Sequence, residues 1–270
     1  MVQKLPPLAN KTVLVTRPID QALELQKPLE ELGARVLVQP AVQILPSSNP
    51  EGLDSALRDL EAERGDWLLF SSANGVRFTL ERLCQLFELE PEMCGAFLRR
   101  RKLQTGVVGS GTAKALNRFN VAPDVVPEKF DAEGLIAALD KVVMDYASQR
   151  FVSFRASRGR SVLDQALRAR GSLLRTVEAY QSVDVTEPYP ETLRALQSGE
   201  IDAAVVASSA SAKALVAMFR EEVRKTRWIA LSALTAGAME QMDVKVERVA
   251  KEATMTSLVD AVRDTLTEQS

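Results

Sequence analysis

The two halves of this 270-residue chain resemble each other along most of their length. The segment KTVLVTRP in the first half corresponds to RFVSFRAS in the second, which puts Arg17 and Arg155 138 positions apart. LFSSANGV corresponds to VASSASAK at an offset of 137, from Ser71 to Ser208, and VVGSGTAKAL corresponds to IALSALTAGAM at an offset of 123. The repeat predicts two copies of one structural unit. Chance similarity between α/β elements is the alternative explanation.

Each copy alternates short apolar segments, rich in β-branched residues, with segments whose apolar residues recur at helical spacing. The predicted strands are Thr12–Thr16, Arg35–Val38, Trp67–Phe70, Thr105–Val108, Asp124–Val126, Phe151–Phe154, Leu173–Val177, Ala203–Ala207, Trp228–Leu231 and Val244–Val249. Helical spacing is clear in Ala22–Leu32, Ala113–Arg118 and Leu258–Leu266. Continuously apolar strands between helices are typical of parallel sheets covered on both faces. The sequence therefore predicts an α/β fold of two flavodoxin-like, doubly wound parallel-sheet domains.

The chain contains no histidine, and this excludes several kinds of chemistry. Ser-His-Asp and Cys-His nucleophilic mechanisms are excluded, as are zinc or iron sites built on histidine ligands. Cys84 and Cys94 are the only cysteines, and two thiolates cannot form a metal site alone. We interpret them as reduced thiols, and a disulfide is the alternative. Catalysis must use Tyr, Lys, Arg, Asp, Glu, Ser, Thr, backbone dipoles or water.

Charge and hydropathy indicate the cellular location of the chain and the classes of partner that it lacks. Its 34 basic and 36 acidic side chains leave no basic surplus of the kind that nucleic-acid-binding domains carry. The first residues, MVQKLPPLAN, lack the apolar core of a signal peptide. No run approaches the roughly 18 apolar residues of a membrane span. We therefore expect a cytoplasmic protein with no nucleic-acid or membrane partner.

Small polar residues follow the predicted strands in both copies, at the carboxyl ends where doubly wound sheets bind ligands. They are Arg17, Ser71, Ser72, Ala73, Asn74, Ser110, Gly111 and Thr112 in the first copy, and Arg155, Ser208, Ser209, Ala210, Ser211 and Thr235 in the second. Each small-residue loop precedes a helix, whose free N–H groups and positive dipole end favour an anion. Two such sets suit a ligand with several negative groups. The alternative is that the serines and threonines are ordinary N-caps.

Nucleotide cofactors are not expected at these loops. GSGTAK is close to a dinucleotide-binding fingerprint, but Lys114 occupies the position of the third glycine and the acidic ribose-binding residue is not at its usual place. No GxxxxGK[ST] loop for a nucleoside triphosphate occurs either. We therefore expect no cofactor and no metal.

Six segments carry a resemblance to a known family, namely VLVTRP (13–18), LFSSANGV (69–76), VVGSGTAKAL (107–116), VEAYQSV (177–183), VVASSASAKAL (205–215) and ALSALTA (230–236). In this order and spacing, from about Lys11 to the final helix, the chain resembles the uroporphyrinogen-III synthase family. Ala73 and Ala210 stand where the family often has proline, and Ser232 stands where a glycine is common. If that last position needs a positive φ, serine costs about 1 kcal/mol.

The resemblance implies that the chain crosses between its two domains. Residues 1–38 and 184–270 would form one domain, and residues 39–183 would form the other. The crossing segments, Gln39–Leu45 and Val177–Val185, would pair as a two-stranded ribbon. Such a thin connection permits hinge motion, and the resemblance implies an active cleft between the domains.

The resemblance also implies an activity, that of a cofactor-independent lyase of tetrapyrrole, porphyrin and heme biosynthesis. The implied substrate is hydroxymethylbilane, which loses water and closes to uroporphyrinogen III through a spiro-pyrrolenine that inverts the last pyrrole ring. Without an enzyme the bilane closes to the uninverted isomer, so the main task is to hold a reactive molecule in one conformation. We expect a monomer, with handover of the substrate by hydroxymethylbilane synthase as one route.

Tyr180 is the catalytic candidate, because it matches the tyrosine of the family's crossing strand and a phenol can assist loss of the hydroxyl. The alternative is an ordinary strand tyrosine satisfied at an interface. Thr235 matches a family threonine at a helix start, and a plain N-cap is its alternative. Basic side chains that could help to bind carboxylates are Arg17, Arg155, and Arg160 or Lys213.

Two other functions compete with this one. A non-enzymatic two-lobed binding protein for a small polyanion would share the fold, the hinge and the loops. A regulator with a DNA-binding module is not expected, because the resemblance leaves no segment for such a module.

Overall fold

The computed structural model describes residues 5–60, 67–159 and 161–268. The chain divides into two compact units. The discontinuous unit takes the chain up to Ile44 and from Val183 onward, and the continuous unit is Leu45–Ser182. The family resemblance implies divisions at 38/39 and 183/184.

The strands are β1 (Thr12–Val15), β2 (Arg35–Val38), β3 (Val42–Pro46), β4 (Trp67–Phe70), β5 (Gln104–Val107), β6 (Arg150–Ala156), β7 (Leu173–Asp184), β8 (Ala203–Val206), β9 (Trp228–Ala230) and β10 (Val246–Val249). The α-helices are α1 (Ile19–Glu31), α2 (Pro50–Asp59), α3 (Ala73–Phe87), α4 (Cys94–Arg100), α5 (Ser110–Asn117), α6 (Ala132–Leu139), α7 (Val162–Ala169), α8 (Pro190–Gln197), α9 (Ser209–Phe219), α10 (Ala233–Glu240) and α11 (Met255–Thr267).

The sheet of the discontinuous unit has the strand order β10-β9-β8-β1-β2, and every neighbouring pair is parallel. Counted along the unit, this order is 2-1-3-4-5, the flavodoxin-like arrangement. Alternate residues of its central strands face opposite sides. Leu14 and Ala204 join one apolar cluster, and Val13 and Ala203 join the other. Burial on both faces explains why these strands are continuously apolar.

The second sheet has the order β3-β7-β6-β4-β5, with β7, β6, β4 and β5 parallel to their neighbours. If β6 and β7 take the places of β1 and β2, the strands β7-β6-β4-β5 repeat the first four places of the same order, 2-1-3-4. The predicted fold class is confirmed. β3 is an addition beside β7, so the two predicted crossing segments are neighbours in the sheet. β7 is much longer than the predicted Leu173–Val177, since it runs on to Asp184.

One predicted strand, Asp124–Val126, is wrong. The segment makes a single parallel bridge, between Val125 and Gly106. Pro123 and Pro127 flank it, and proline lacks the N–H that a ladder needs, so pairing cannot extend in either direction.

Apolar packing holds each sheet to its helices. In the continuous unit, Leu69 and Phe151 pack with Leu135 and Leu139 of α6 and Leu167 of α7. All five side chains are fully buried, and each such burial contributes about 1.5–3 kcal/mol. The sheets are thereby fixed, and the loops at their carboxyl ends start from rigid positions. None of the described helices is long and apolar enough to cross a membrane.

Candidate active site

Tyr180 lies on β7 with its phenol directed at the start of a helix. Its hydroxyl is 3.0 Å from Oγ of Ser72, and its side chain is only 7% exposed. The ring stacks on Phe78 with centroids 5.7 Å apart and an interplanar angle of 12°. The backbone is also fixed, because Ser157 N–H donates to the carbonyl of Tyr180 at 2.9 Å. The catalytic candidate is therefore a buried, ordered phenol that is hydrogen-bonded to a serine hydroxyl.

Ser72 is the N-cap of α3, and its Oγ accepts the N–H of Gly75 at 3.0 Å. Gly75 is closely packed, because a Cβ there would lie 3.2 Å from the carbonyl oxygen of Phe154 and 3.3 Å from Ser72 Oγ. Of the other predicted residues here, Ser71 and Ala73 are exposed and Asn74 is half-buried. The turn after β4 therefore links the first turn of α3 to the Tyr180 phenol through the Ser72 hydroxyl.

The turn after β5 differs in having no side-chain cap. Gly109 occupies the N-cap of α5 in an extended conformation, and no side chain accepts from the first turn. Ser110 and Gly111 are exposed, whereas Thr112 is buried and its N–H donates to the carbonyl of Gly109 at 3.1 Å. The exposed side chain of Phe130 lies over Gly109, where a Cβ would come within 3.1 Å of Phe130 Cβ and 3.3 Å of the ring. The amides of this turn that precede Thr112 are available to an anion.

The discontinuous unit carries two serine-capped helix starts. Ser208 caps α9, accepting the N–H of Ser211 at 3.1 Å and donating to Ser211 Oγ at 2.9 Å. Ser232 caps α10 in the same way, with Thr235 N at 3.3 Å and Thr235 Oγ1 at 3.1 Å. Ser209 Oγ donates to the carbonyl of Leu234 at 3.3 Å, so the two helix starts are in contact. Ala210 is exposed beside them.

These caps correct two sequence expectations. Ser232 has φ −152°, an extended conformation open to any residue, so no glycine is needed there. The predicted pairing of Ser71 with Ser208 is one residue out of register, because the two N-caps are Ser72 and Ser208. In the first copy two residues separate strand from helix, and the serine pair begins immediately after the strand. In the second copy Ala207 comes first.

The two strand-end arginines are engaged in internal ion pairs. Arg17 donates to Glu24 at 2.6 Å, and also to Gln21 and to the sulfur of Met255. Arg155 pairs with Asp164 at 3.3 Å and donates to the carbonyl of Gly159. Each arginine thus ties its strand to the helix that follows. Lys213 is exposed, and Arg160 lies outside the described residues.

The side chains of Ser72, Ser208 and Ser232 thus serve as N-caps, which was the alternative explanation for them. What these turns offer a ligand is the set of first-turn backbone N–H groups, because a cap satisfies only one of them. Phe78 and Phe130 were not among the residues predicted from the sequence, because neither gives a signal without the strand order. Among the described residues, no group of three or more His, Cys, Asp or Glu side chains could hold a metal ion.

Comparison with known proteins adds family information to this geometry. The sequence model of the family described as "Uroporphyrinogen-III synthase HemD" matches residues 24–260. The uroporphyrinogen-III synthase of Synechococcus elongatus is 30% identical over 197 residues, covering 73% of this chain and 70% of the relative. That of Chlorobaculum parvum is 26% identical over 95% of this chain and 99% of the relative. A mutant uroporphyrinogen III synthase from the extremely thermophilic bacterium Thermus thermophilus shares the fold, with a TM-score of 0.63 at 20% identity, over 96% of this chain and 99% of the other.

Proposed function

The chain belongs to the uroporphyrinogen-III synthase family, and from that membership we propose that it cyclises hydroxymethylbilane to uroporphyrinogen III. The observation that carries the proposal is the family match over residues 24–260, which spans most of both units. The reaction is a lyase reaction that releases one water and inverts the last pyrrole ring. The chain's lack of histidine is compatible with this reaction, because the chemistry needs one weak acid and a substrate held in one conformation.

Tyr180 is the acid in this scheme. The C–O bond of the hydroxymethyl group breaks, and the hydroxyl leaves as water with the proton of the phenol. The azafulvene that forms is attacked by the substituted carbon of the last pyrrole, which gives the spiro-pyrrolenine. This intermediate fragments and closes again at the free carbon of the same ring. That closure releases a ring proton, which restores the phenol, so the net change is bilane to uroporphyrinogen III plus water.

The substrate's acetate and propionate groups are bound by helix starts in this proposal. The first-turn amides after Ser72, Gly109, Ser208 and Ser232 point out of their helices at the positive end of the dipole. The residues concerned are Ser71, Ala73, Asn74, Ser110, Gly111, Thr112, Ser208, Ser209, Ala210, Ser211 and Thr235. Ser72 enters only as the N-cap that begins α3. Arg17 and Arg155 are assigned to their ion pairs instead, because their guanidinium groups already have acidic partners.

A turnover experiment separates an enzyme from a polyanion-binding protein. Synthetic hydroxymethylbilane is mixed with substoichiometric protein, quenched at intervals and oxidised, and the porphyrin is measured by absorbance against a reaction without protein. An enzyme accelerates loss of the bilane over many equivalents per chain. A binding protein leaves the rate unchanged or slows it, and that result would refute the proposal.

The role of Tyr180 has its own test. Tyr180→Phe keeps the ring and its stacking on Phe78 and removes only the hydroxyl, so the fold should persist. Loss of a general acid predicts a decrease in kcat of about ten-fold or more. Formation of isomer III at nearly the normal rate by this variant would remove Tyr180 from the mechanism.

The finer details of cellular context are also proposals. We place the protein in the cytoplasm as a monomer that takes the bilane from hydroxymethylbilane synthase. Handover is favoured by chemistry, because the free bilane closes spontaneously to the wrong isomer. Gel filtration of the pure protein tests the monomer. A coupled assay tests handover, since an excess of the slower Tyr180→Phe protein should compete for a free intermediate but not for a transferred one.

A further inference from the structure

We infer that Ser72 is a positioning residue for this reaction, one that acts through Tyr180 rather than on the substrate. Its hydroxyl connects the phenol to the N-terminus of α3 and leaves the phenol's own proton free to be donated. The inference rests on the proposed function, because it concerns the proton that Tyr180 supplies. It replaces the expectation that Ser72 binds substrate through its side chain.

The hydrogen bonds at Ser72 Oγ determine where its proton goes. The oxygen accepts the Gly75 N–H at 3.0 Å, and the Tyr180 hydroxyl is also 3.0 Å away. A hydroxyl has one proton to donate, and the cap bond does not use it. When Ser72 donates this proton to the phenol oxygen, the Tyr180 proton can point to a leaving group. After proton transfer, the same bond and the positive end of α3 stabilise the phenolate.

The duplicated helix starts show what is different about this one. Ser208 and Ser232 are also N-caps, but the residue three positions after each is Ser211 or Thr235, and the cap oxygen lies 2.9 or 3.1 Å from that residue's hydroxyl. At α3 the corresponding residue is Gly75, which has no side chain. Of these three serine caps, the one on α3 therefore bonds to a tyrosine, 108 positions away in sequence.

The same helix also fixes the ring of Tyr180. Phe78 lies in the second turn of α3 and stacks on the phenol ring, while Ser72 holds the hydroxyl. A ring held on its face and at its oxygen has little freedom to rotate, so the direction of its proton is set in advance. This arrangement predicts an effect of Ser72 on the chemical step and none on substrate affinity.

The test measures kcat and KM for hydroxymethylbilane in four variants. Ser72→Ala should lower kcat about five-fold with KM unchanged, as expected for the loss of one hydrogen bond to the reacting group. Ser72→Thr, which keeps the hydroxyl, should restore most of it. Ser72→Gly is the second hydroxyl-free variant, because glycine is a tolerated N-cap and the fold should survive if alanine fails. Adding Ser72→Ala to Tyr180→Phe should cause no further loss.

Asn49→Ala is the matched control. Asn49 caps α2 in the same unit and accepts the Gly52 N–H at 2.9 Å, a cap bond that does not involve Tyr180. The variant should have a lower melting temperature, as Ser72→Ala should, with kcat unchanged.

Each outcome has a distinct meaning. Normal kcat in both hydroxyl-free Ser72 variants, or an equal loss in the Tyr180→Phe background, overturns the positioning role while the synthase activity stands. A normal kcat in the Tyr180→Phe variant overturns both the acid role of Tyr180 and the positioning role of Ser72, while the proposed synthase activity stands. Absence of turnover by the unmodified protein refutes the proposed function itself.

Discussion

Replacing Arg155 with methionine should destabilise the continuous unit strongly, because it leaves a buried carboxylate without its counter-charge. Asp164 is 3% exposed, and its Oδ2 accepts from Arg155 at 3.3 Å and from the Thr176 hydroxyl at 2.9 Å. Methionine keeps most of the aliphatic volume and removes the guanidinium. Among the described residues, the Thr176 hydroxyl would then be the donor left to the carboxylate.

The size of the effect follows from burial. Removing one partner of a buried ion pair costs about 3–5 kcal/mol, and the partial exposure of Arg155 places this case near 3 kcal/mol. The equivalent pair in the other unit, Arg17 with Glu24, sets the comparison. Glu24 is 61% exposed, so Arg17→Met should cost less than about 1 kcal/mol. Replacing both partners, as in Arg155→Met with Asp164→Leu, should recover most of the loss.

Urea unfolding at pH 7, followed by circular dichroism, measures this directly. With a slope of about 2 kcal/mol per molar urea, a loss near 3 kcal/mol lowers the midpoint by about 1.5 M. If the units unfold separately, the shift belongs to one transition only. An Arg155→Met variant with a normal midpoint and a raised KM for the bilane would refute the reasoning, and it would return Arg155 to the substrate site.

Three further predictions concern mainly the same unit. Iodoacetamide at pH 8 should label Cys84 and spare Cys94, because burial, and then the Cys84 sulfur 3.3 Å away, raise the pKa of Cys94 to about 12; equal labelling of both thiols in the folded protein would contradict this. The urea concentration at the unfolding midpoint should decrease as the pH is lowered from about 5 to 3, because the pKa values of Asp54, Asp140 and Glu178 are lowered in the folded protein. Arg82 lowers the first pKa and Arg170 the second, while at Glu178 burial, which alone would raise the pKa, is outweighed by hydrogen bonds from Ser48 and Ser47. The stability that these carboxylates contribute is fully present above their pKa values in the unfolded chain, and it is lost as the pH falls through their lower pKa values in the folded protein. Asp140→Asn should therefore make the unfolding midpoint depend less on pH, and an unchanged pH dependence would contradict this prediction. Gly95→Ala should cost about 2 kcal/mol or more, because its Cβ would lie 2.0 Å from the carbonyl oxygen of Asn120. Gly237→Ala meets nothing within 4 Å and lies inside α10, so in the same urea assay it should stabilise the protein by about 0.5–1 kcal/mol.

The fold could be predicted because its signals are local and repeated. Val13, Leu14 and Val15 are all buried, as a central parallel strand requires, and the corresponding strand β6 shows the same pattern. The error at Asp124–Val126 arose because apolar content was counted without the two flanking prolines. The one-residue error in pairing Ser71 with Ser208 arose because the two segments were aligned by their identical serines. Aligning them by the first residues of the helices pairs Ser72 with Ser208.

The site could be predicted only in part. Tyr180 came from resemblance to a family, whereas its bond to Ser72 depends on β6 lying between β4 and β7, which no local pattern reveals. Arg17 and Arg155 remain untested as anion ligands; their charge is visible in the sequence, but the prediction did not consider their internal partners. Glu24 and Asp164 lie on the next helix, seven and nine positions later, close enough to have been considered.

The isomer composition of the product tests most directly whether this chain folds the bilane before it reacts. Purified protein is incubated with synthetic hydroxymethylbilane, the product is oxidised, and the porphyrin isomers are separated by chromatography beside a reaction without protein. Isomer III should predominate and increase with protein concentration, while the protein-free reaction gives the uninverted isomer. The uninverted isomer as the main product at every protein concentration would contradict the account.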